Sequence, residues 1–483
     1  MIPLPQALRD QPEVFLGTTA VAVRDGDEDV QAPDRPPSIA RNVGAAALVI
    51  VGKAAITFVA SIVFTRSLGA AGRGEVVFVY NTAAMVVLLA GAGTTSALVK
   101  LRQAGGHTPT ELYTSAAAVS AIHGAVAAAL FVIAWAGLRG SAFDGVGPGL
   151  ALAVAALVGP LLLYQNLSQV AALDDRLART AASALVGSSL YLVAVVGAAV
   201  AGRLSAPVVI GAFGVGSVLT PLLMVWPFRA VRLRRTGVWP AARALLRASW
   251  AANIAAMAVL LLWRIDVLLV KVLRGYADLG RYSAATSIAE IALVVVVSLR
   301  MALLATHGAD GDRTELAAAI ARTVRLALVV GLGGALLLAL VGRPLLVAVY
   351  GAGFGEASVA LTFLAPGVVL LGLQYPLFDA LYAAGEGRRL VVIGVTALTF
   401  EVVADLVLVP RYGYVGAAAV SATTYAGLFL ACAALFAGRF GMRRRDVLVV
   451  RGADLRVALQ LAVGASRRAA PRSVLARLRS GER

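Results

Sequence analysis

Apolar residues dominate this chain in blocks, and charged residues gather between the blocks. Twelve stretches read as continuous apolar helices: 42–66, 75–98, 113–136, 148–171, 181–202, 206–228, 248–272, 282–305, 322–342, 357–384, 389–409 and 414–438. Each has about the 20 residues that a helix needs to cross a bilayer core. The pattern therefore predicts an all-α polytopic membrane protein of about 12 transmembrane helices.

Composition agrees. Hydrophobic residues make up 60% of the 483 positions, and mean hydropathy is +0.85. Soluble domains of ordinary composition are about 45–50% apolar. The net charge of +17 is unevenly placed. Residues 1–40 carry three Arg against seven acids, and residues 439–483 carry twelve Arg against three. With no soluble domain to carry it, the basic balance does not read as nucleic-acid binding. A basic tail beside a membrane meets anionic lipid more simply. Short-loop Lys and Arg number fifteen on one side and nine on the other. That bias places both termini in the cytoplasm of a multi-pass plasma (inner) membrane protein. The N-terminus lacks the basic and apolar regions of a signal peptide. One cysteine, Cys432, and three scattered histidines provide neither a disulfide framework nor a metal cluster.

The chain repeats. Gly72-Arg73 aligns with Gly280-Arg281 at an offset of 208. Leu161, Leu162, Gln165, Ala171 and Arg179 align with Leu370, Leu371, Gln374, Ala380 and Arg388 at 209. The expected organisation is a segment 1–40 without structure, a six-helix bundle over 41–228 and a basic connector over 229–247. A second six-helix bundle over 248–438 and a basic cytoplasmic tail over 439–483 complete it. Six helices per repeat makes the repeats parallel, and transporters built this way hold substrate between the halves.

Several segments together resemble one family. The hairpin from Arg66 to Gly74 is similar to the turn after the first helix of polysaccharide exporters. Arg264 and Asp266, then Gly275, then Gly280 to Ala285, resemble its second-half counterpart. Tyr350, Gly351 and Phe354 with Ala365-Pro366-Gly367 resemble the segment before the tenth helix. Ala383 to Arg388 and Val409 to Ala419 resemble the entries to the last two helices. The family is the oligosaccharide (Wzx-type) flippase branch of the MOP superfamily, which also holds drug exporters and lipid II flippases. The resemblance implies a V of two bundles that rocks between two open states. It implies no enzyme, no cofactor and a polyprenyl-diphosphate-linked oligosaccharide as substrate. The setting it implies is cell-surface polysaccharide synthesis, with polymerases and glycosyltransferases as further partners. Relatives often carry a proline near the end of the eighth helix, and residues 298–304 hold none.

Charges inside the apolar blocks are few, and an ionisable group there usually faces the bundle interior or a wet cavity. Lys53 lies mid-span in the first helix. It is either a grip on an anionic headgroup or half of an ion pair. Arg264, whose guanidinium suits bidentate phosphate binding, and Arg300 complete the headgroup candidates. Asp266, Glu290, Glu401 and Asp405 are the acidic set. Glu401 and Asp405 are four apart and share a helix face, which suits proton or sodium coupling as well as interhelical pairing. Tyr80, Asn81, Gln165, Asn166 and Gln374 are candidates to line a polar lumen. Asp379 lies near a helix end, and His123 reads as a packing residue. No phosphate loop of the nucleotide-hydrolysing kind and no catalytic constellation is present in the sequence. Two transporter-class and scaffold rivals remain at this stage. They are a drug exporter coupled to a cation, and a membrane scaffold of a synthesis complex that uses the basic tail. A membrane-embedded glycosyltransferase would need a larger outer loop than any here.

Overall fold

The structure, a computed structural model, describes residues 37–91, 94, 98, 109–173, 177–225, 254–306 and 313–452. It describes side chains in all of these except 37–50, 109–110, 172–179, 254–256, 292–306 and 313–314. Most of the N-terminal segment, the basic connector and most of the basic tail lie outside the described residues, as does the side chain of Arg300.

Two long helical traces, Pro37–Ala90 and Gly387–Arg439, cannot be straight spans. At 1.5 Å per residue each would run about 80 Å, far beyond a core of about 30 Å. Each breaks at a glycine with non-helical backbone, Gly69 (φ 67°) and Gly413 (φ 60°). Contacts eight residues apart follow the chain as it folds back. Arg73 Nη1 donates to Thr65 Oγ1 at 2.7 Å, and a Cβ on Gly416 would meet the Leu408 carbonyl oxygen at 2.8 Å. We therefore treat the first trace as α1 (37–68) and α2 (70–90), and the second as α11 (387–412) and α12 (414–439).

Between them run α3 (Pro109–Leu138), α4 (Pro148–Leu173), α5 (Leu177–Val200), α6 (Ala206–Val225), α7 (Ile254–Arg274), α8 (Tyr276–Thr306), α9 (Arg313–Tyr350) and α10 (Ser358–Ala383). A 3-10 turn, Ala352–Ala357, joins α9 to α10, and a short α13 (Arg444–Leu448) follows α12. Proline opens α3 and α4, where its missing N–H leaves no helical bond unmade. Long apolar side chains such as Ile133, Val193, Leu336 and Leu340 are exposed on the outside of the bundle, which suits lipid as solvent.

The α1–α2, α7–α8 and α11–α12 turns are tighter than the sequence predicts, each made at a single glycine. The blocks place residues 273–281 in a loop, yet α8 begins at Tyr276 after a turn made by Gly275 alone. Its φ of 86° is a conformation that L side chains adopt at a cost. Asp278, Gly280 and Arg281 are therefore helical. The tail does not simply leave the bundle. Val447 of α13 is fully buried, and Arg325 of α9 donates to the Asp446 carbonyl.

The internal repeat has a register of 206 in these turns, not 208. Gly69 and Gly275, and likewise Gly145 and Gly351, have positive φ and stand 206 residues apart. The sequence match pairs Gly72 with Gly280 by identity, but the geometric equivalent of Gly280 is Gly74. A Cβ on Gly74 would sit 1.9 Å from the Tyr276 carbonyl oxygen, and one on Gly280 would sit 1.9 Å from that of Ala70. This reciprocal crossing joins the N-terminal lobe (α1–α6) to the C-terminal lobe (α7–α12), with α2 and α8 in direct backbone contact. Small residues are what allow such an approach in a membrane.

Candidate functional site

The seam between the lobes is polar and basic. Arg73, which the sequence reading leaves in a loop, is buried within it at 2% exposure. Its guanidinium crosses from α2 to α8. Nε donates to Ser283 Oγ (2.8 Å), and Nη2 to Ser287 Oγ (2.9 Å) and the Ser283 carbonyl (3.1 Å). The group also lies over the Tyr350 ring, 4.6 Å from its centroid. Serines at 283 and 287 share a helix face, so α8 offers Arg73 a ladder of hydroxyls. Further along α2, Arg264 of α7 donates to Asn81 Oδ1 at 2.6 Å. Arg264 and Arg73 are the cations whose charge acts on Glu290 of α8. Glu290 thus belongs to the seam rather than to the other carboxylates.

Near the tight-turn face two more cations cross the seam. Arg66, ending α1, donates through Nε to the Val349 carbonyl (2.9 Å) and through Nη2 to that of Ala348. Lys271, near the end of α7, donates to the Asp144 carbonyl. Among the described residues, none of these four seam cations forms a salt bridge. Each donates to neutral oxygens of the opposite lobe. A charge-assisted bond of this kind contributes about 1.5–3 kcal/mol, but it does not neutralise the cation.

The other carboxylates lie inside the C-terminal lobe. Asp266 (α7), Glu401 and Asp405 (α11) are all buried. Tyr282 of α8 donates to Asp266 Oδ2, and the Val267 N–H donates to Asp266 Oδ1 at 2.7 Å. Ser421 of α12 bridges the set, donating to Glu401 Oε1 at 2.8 Å and lying 3.4 Å from Asp266 Oδ2. Among the described residues Glu401 Oε2 and both Asp405 oxygens have no hydrogen-bond partner. Four helices, α7, α8, α11 and α12, thus bring three acids, a phenol and a hydroxyl together. The acids do not form a ready-made group of metal ligands among the described residues. Tyr282 and Ser421 were invisible as site residues in the sequence. A hydroxyl in a membrane helix is common, and only the fold puts these two beside the acids.

The remaining candidates separate. Lys53 is half buried, with its ammonium 4.9 Å from the centroid of the Tyr164 ring of α4. Among the described residues it makes no ion pair, so the paired alternative is not seen. Asn81 lies in the seam as Arg264's partner. Gln165 is half buried. Three lumen candidates are placed elsewhere. Tyr80 packs within the N-terminal lobe, with its hydroxyl 3.3 Å from those of Tyr191 and the Val209 carbonyl, and its ring on Phe213. Asn166 is fully buried, donating to Ser120 Oγ and accepting from Thr94 Oγ1, each at 2.9 Å. It ties α4 to α3 and to Thr94, just beyond α2. Gln374 is fully buried, and neither side-chain atom has a partner among the described residues. Polar type alone does not separate a helix-joining amide from a lumen-facing one. His123 is a partial exception to its packing assignment, since its Nδ1 has no hydrogen-bond partner among the described residues.

Among the described residues, twelve long helices in two pseudo-symmetric six-helix lobes, with a basic seam between them, make a membrane-protein fold of the MOP type. Solved structures with this fold include one described as the lipid II flippase MurJ in an inward closed conformation, at a TM-score of 0.66 and 11% identity, covering 87% of this chain and 92% of that one. A Pyrococcus furiosus MOP transporter matches at 0.58 and 15% identity, over 83% and 94%. An inward-facing MATE multidrug transporter matches at 0.57 and 14%, over 82% and 98%. Among curated protein sequences none matches. The sequence model of the family described as "Polysaccharide biosynthesis protein" matches residues 39–304, and the chain belongs to that family.

Proposed function

We propose that this protein is a flippase that moves a polyprenyl-diphosphate-linked oligosaccharide across the cytoplasmic membrane, with both termini in the cytoplasm and the tight-turn face outside. The observation that carries the reading is Arg264. It lies between the lobes, held by the neutral amide of Asn81, with no salt bridge among the described residues. A guanidinium has five N–H donors in a planar fork, so the others are available to phosphate oxygens. Glu290 is then the resident counter-charge that keeps the empty site from being an unbalanced pair of arginines. Lys53 and Arg300 extend the same reading toward the inner side. Membership in a polysaccharide-biosynthesis family and the fold of a lipid flippase support it.

In this mechanism the lobes rock about the α2–α8 crossing, and the diphosphate exchanges places with the neutral oxygens that hold the seam cations. The acids of the C-terminal lobe couple the cycle to a proton or sodium gradient. Ser421 links Glu401 to Asp266, so a cation arriving at Glu401 or Asp405 alters the packing of α7, the helix that carries Arg264. The test is reconstitution. Proteoliposomes holding a fluorescent oligosaccharide on a short polyprenyl diphosphate are expected to move it between leaflets. Arg264→Gln, at equal protein level, is expected to slow movement more than tenfold. Equal rates for wild type, variant and empty liposomes, together with efflux of a cationic dye by the wild type, would replace this reading by drug export.

A further inference from the structure

The tight-turn face carries a feature that the central site does not use. Lys271 stands 205 residues after Arg66, and Val349 stands 205 residues after Asp144. Each lobe therefore ends its first helix in a cation that binds a backbone carbonyl in the other lobe's second hairpin. The two bonds are pseudo-symmetric, but their surroundings differ. Arg66 is exposed, whereas Lys271 is 4% exposed and lies 5.5 Å from the ring centroids of both Phe78 and Tyr276. Beside Lys271 the structure opens into a cleft of about 440 Å³, lined by Asp144, Gly145, Lys271, Arg274 and Tyr276 among others. Arg274 is engaged by Asp278 at 3.1 Å, and the Tyr276 hydroxyl lies 3.4 Å from the Gly145 carbonyl. The Asp144 side chain is exposed and is the carboxylate among these lining residues.

We propose that this cleft is an exit-side anion site, in which Lys271 takes a phosphate group of the departing lipid-linked substrate when the lobes part. The idea rests on the flippase reading. Its physical basis is exchange. The ammonium has three donors, and in the closed seam its hydrogen bond is to a neutral carbonyl. A phosphate oxygen adds a full charge–charge attraction to the charge-assisted bond that the carbonyl already makes, so it displaces the carbonyl. The same event unlocks that half of the seam. Phosphate therefore leaves Arg264 for a second cation nearer the outer face, and the rocking of the lobes back to the closed seam, which returns Lys271 to the Asp144 carbonyl, releases it outward. Arg66 is a latch of the same design, placed away from the residues that line this cleft.

That asymmetry provides the test. In full-length protein carrying Cys432→Ser, Asp144→Cys places a reporter at the cleft without altering the backbone carbonyl. The readout is the rate of labelling by a membrane-impermeant maleimide in nanodiscs. Geranylgeranyl diphosphate, seated in the cleft over the reporter, is expected to shield it and slow labelling at least fivefold even though the latch is released, and geranylgeraniol to leave labelling unchanged. Lys271→Gln is expected to raise basal labelling and abolish the protection, and Lys271→Arg to restore it. Arg66→Gln is expected to raise basal labelling and keep the protection. Protection that survives Lys271→Gln overturns the proposal, as does inorganic pyrophosphate protecting as well as the lipid form. Binding of tritiated geranylgeranyl diphosphate, measured in parallel, separates the two claims. No binding to wild type defeats the flippase reading itself. Binding that needs Arg264 but is accompanied by labelling indifferent to Lys271 defeats the exit site alone.

Discussion

Buried polar residues divide here into those with every bond made and those left with capacity. Asn166 is of the first kind, with its amide shared between Ser120 and Thr94. Asn166→Leu should lower stability by about 1–3 kcal/mol, because it removes the two buried hydrogen bonds that tie α4 to Ser120 and Thr94. Thermal unfolding in detergent checks this, and transport per folded molecule should be unchanged. Glu401 and Asp405 are of the second kind, fully buried with three oxygens unpartnered among the described residues. Glu401→Gln keeps the shape and the bond to Ser421 while removing the charge. It should abolish the dependence of transport on the ion gradient while leaving binding of the lipid at Arg264 intact. Retained gradient dependence in Glu401→Gln and Asp405→Asn would remove the acids from coupling. The sequence singled out the acids and Arg264, because an ionisable residue inside an apolar block stands out. It could not reveal Tyr282, Ser421 or Arg73. The first two are ordinary helix residues, and Arg73 sits among Gly and Ala in a stretch that reads as a loop.

At the scale of elements, the α2–α8 crossing holds the lobes together and has the least room to change. Backbone carbonyls stand 1.9 Å from where a Cβ would lie on Gly74 or Gly280. Gly280→Val must therefore push the two helices apart. Overpacking of this sort costs about 1–3 kcal/mol. Maleimide labelling at the tight-turn face should rise as the seam loosens. Gly69 and Gly275 serve a different end, each reversing the chain in one residue by a positive φ. Among the described residues each predicted block coincides with a helix, because apolar length is a strong signal. Hydropathy mistook the turn lengths, since Tyr276 to Arg281 is polar yet helical, folded against the opposite lobe rather than exposed as a loop. It also set the repeat two residues out of register, because identical residues, rather than equivalent crossings, were the only guide.

Across the whole molecule, the lobes meet through cations bound to neutral oxygens, an arrangement strong enough to close the seam and weak enough for an anion to reopen it. The bilayer supplies the rest, with long apolar side chains turned outward and the seam kept inside. The overall fold was legible from twelve blocks and the repeat. The lobe-crossing bonds of Arg66 and Lys271 were not, because they join positions more than 120 residues apart through backbone carbonyls, which leave no trace in side-chain type. The most direct test of the central claim is the sidedness of lipid-linked oligosaccharide in cells lacking this protein, read with an impermeant sugar-modifying reagent. The account predicts that the lipid accumulates on the cytoplasmic leaflet, and that wild type but not Arg264→Gln restores it to the outer leaflet. Unchanged sidedness in the deletion strain would contradict it.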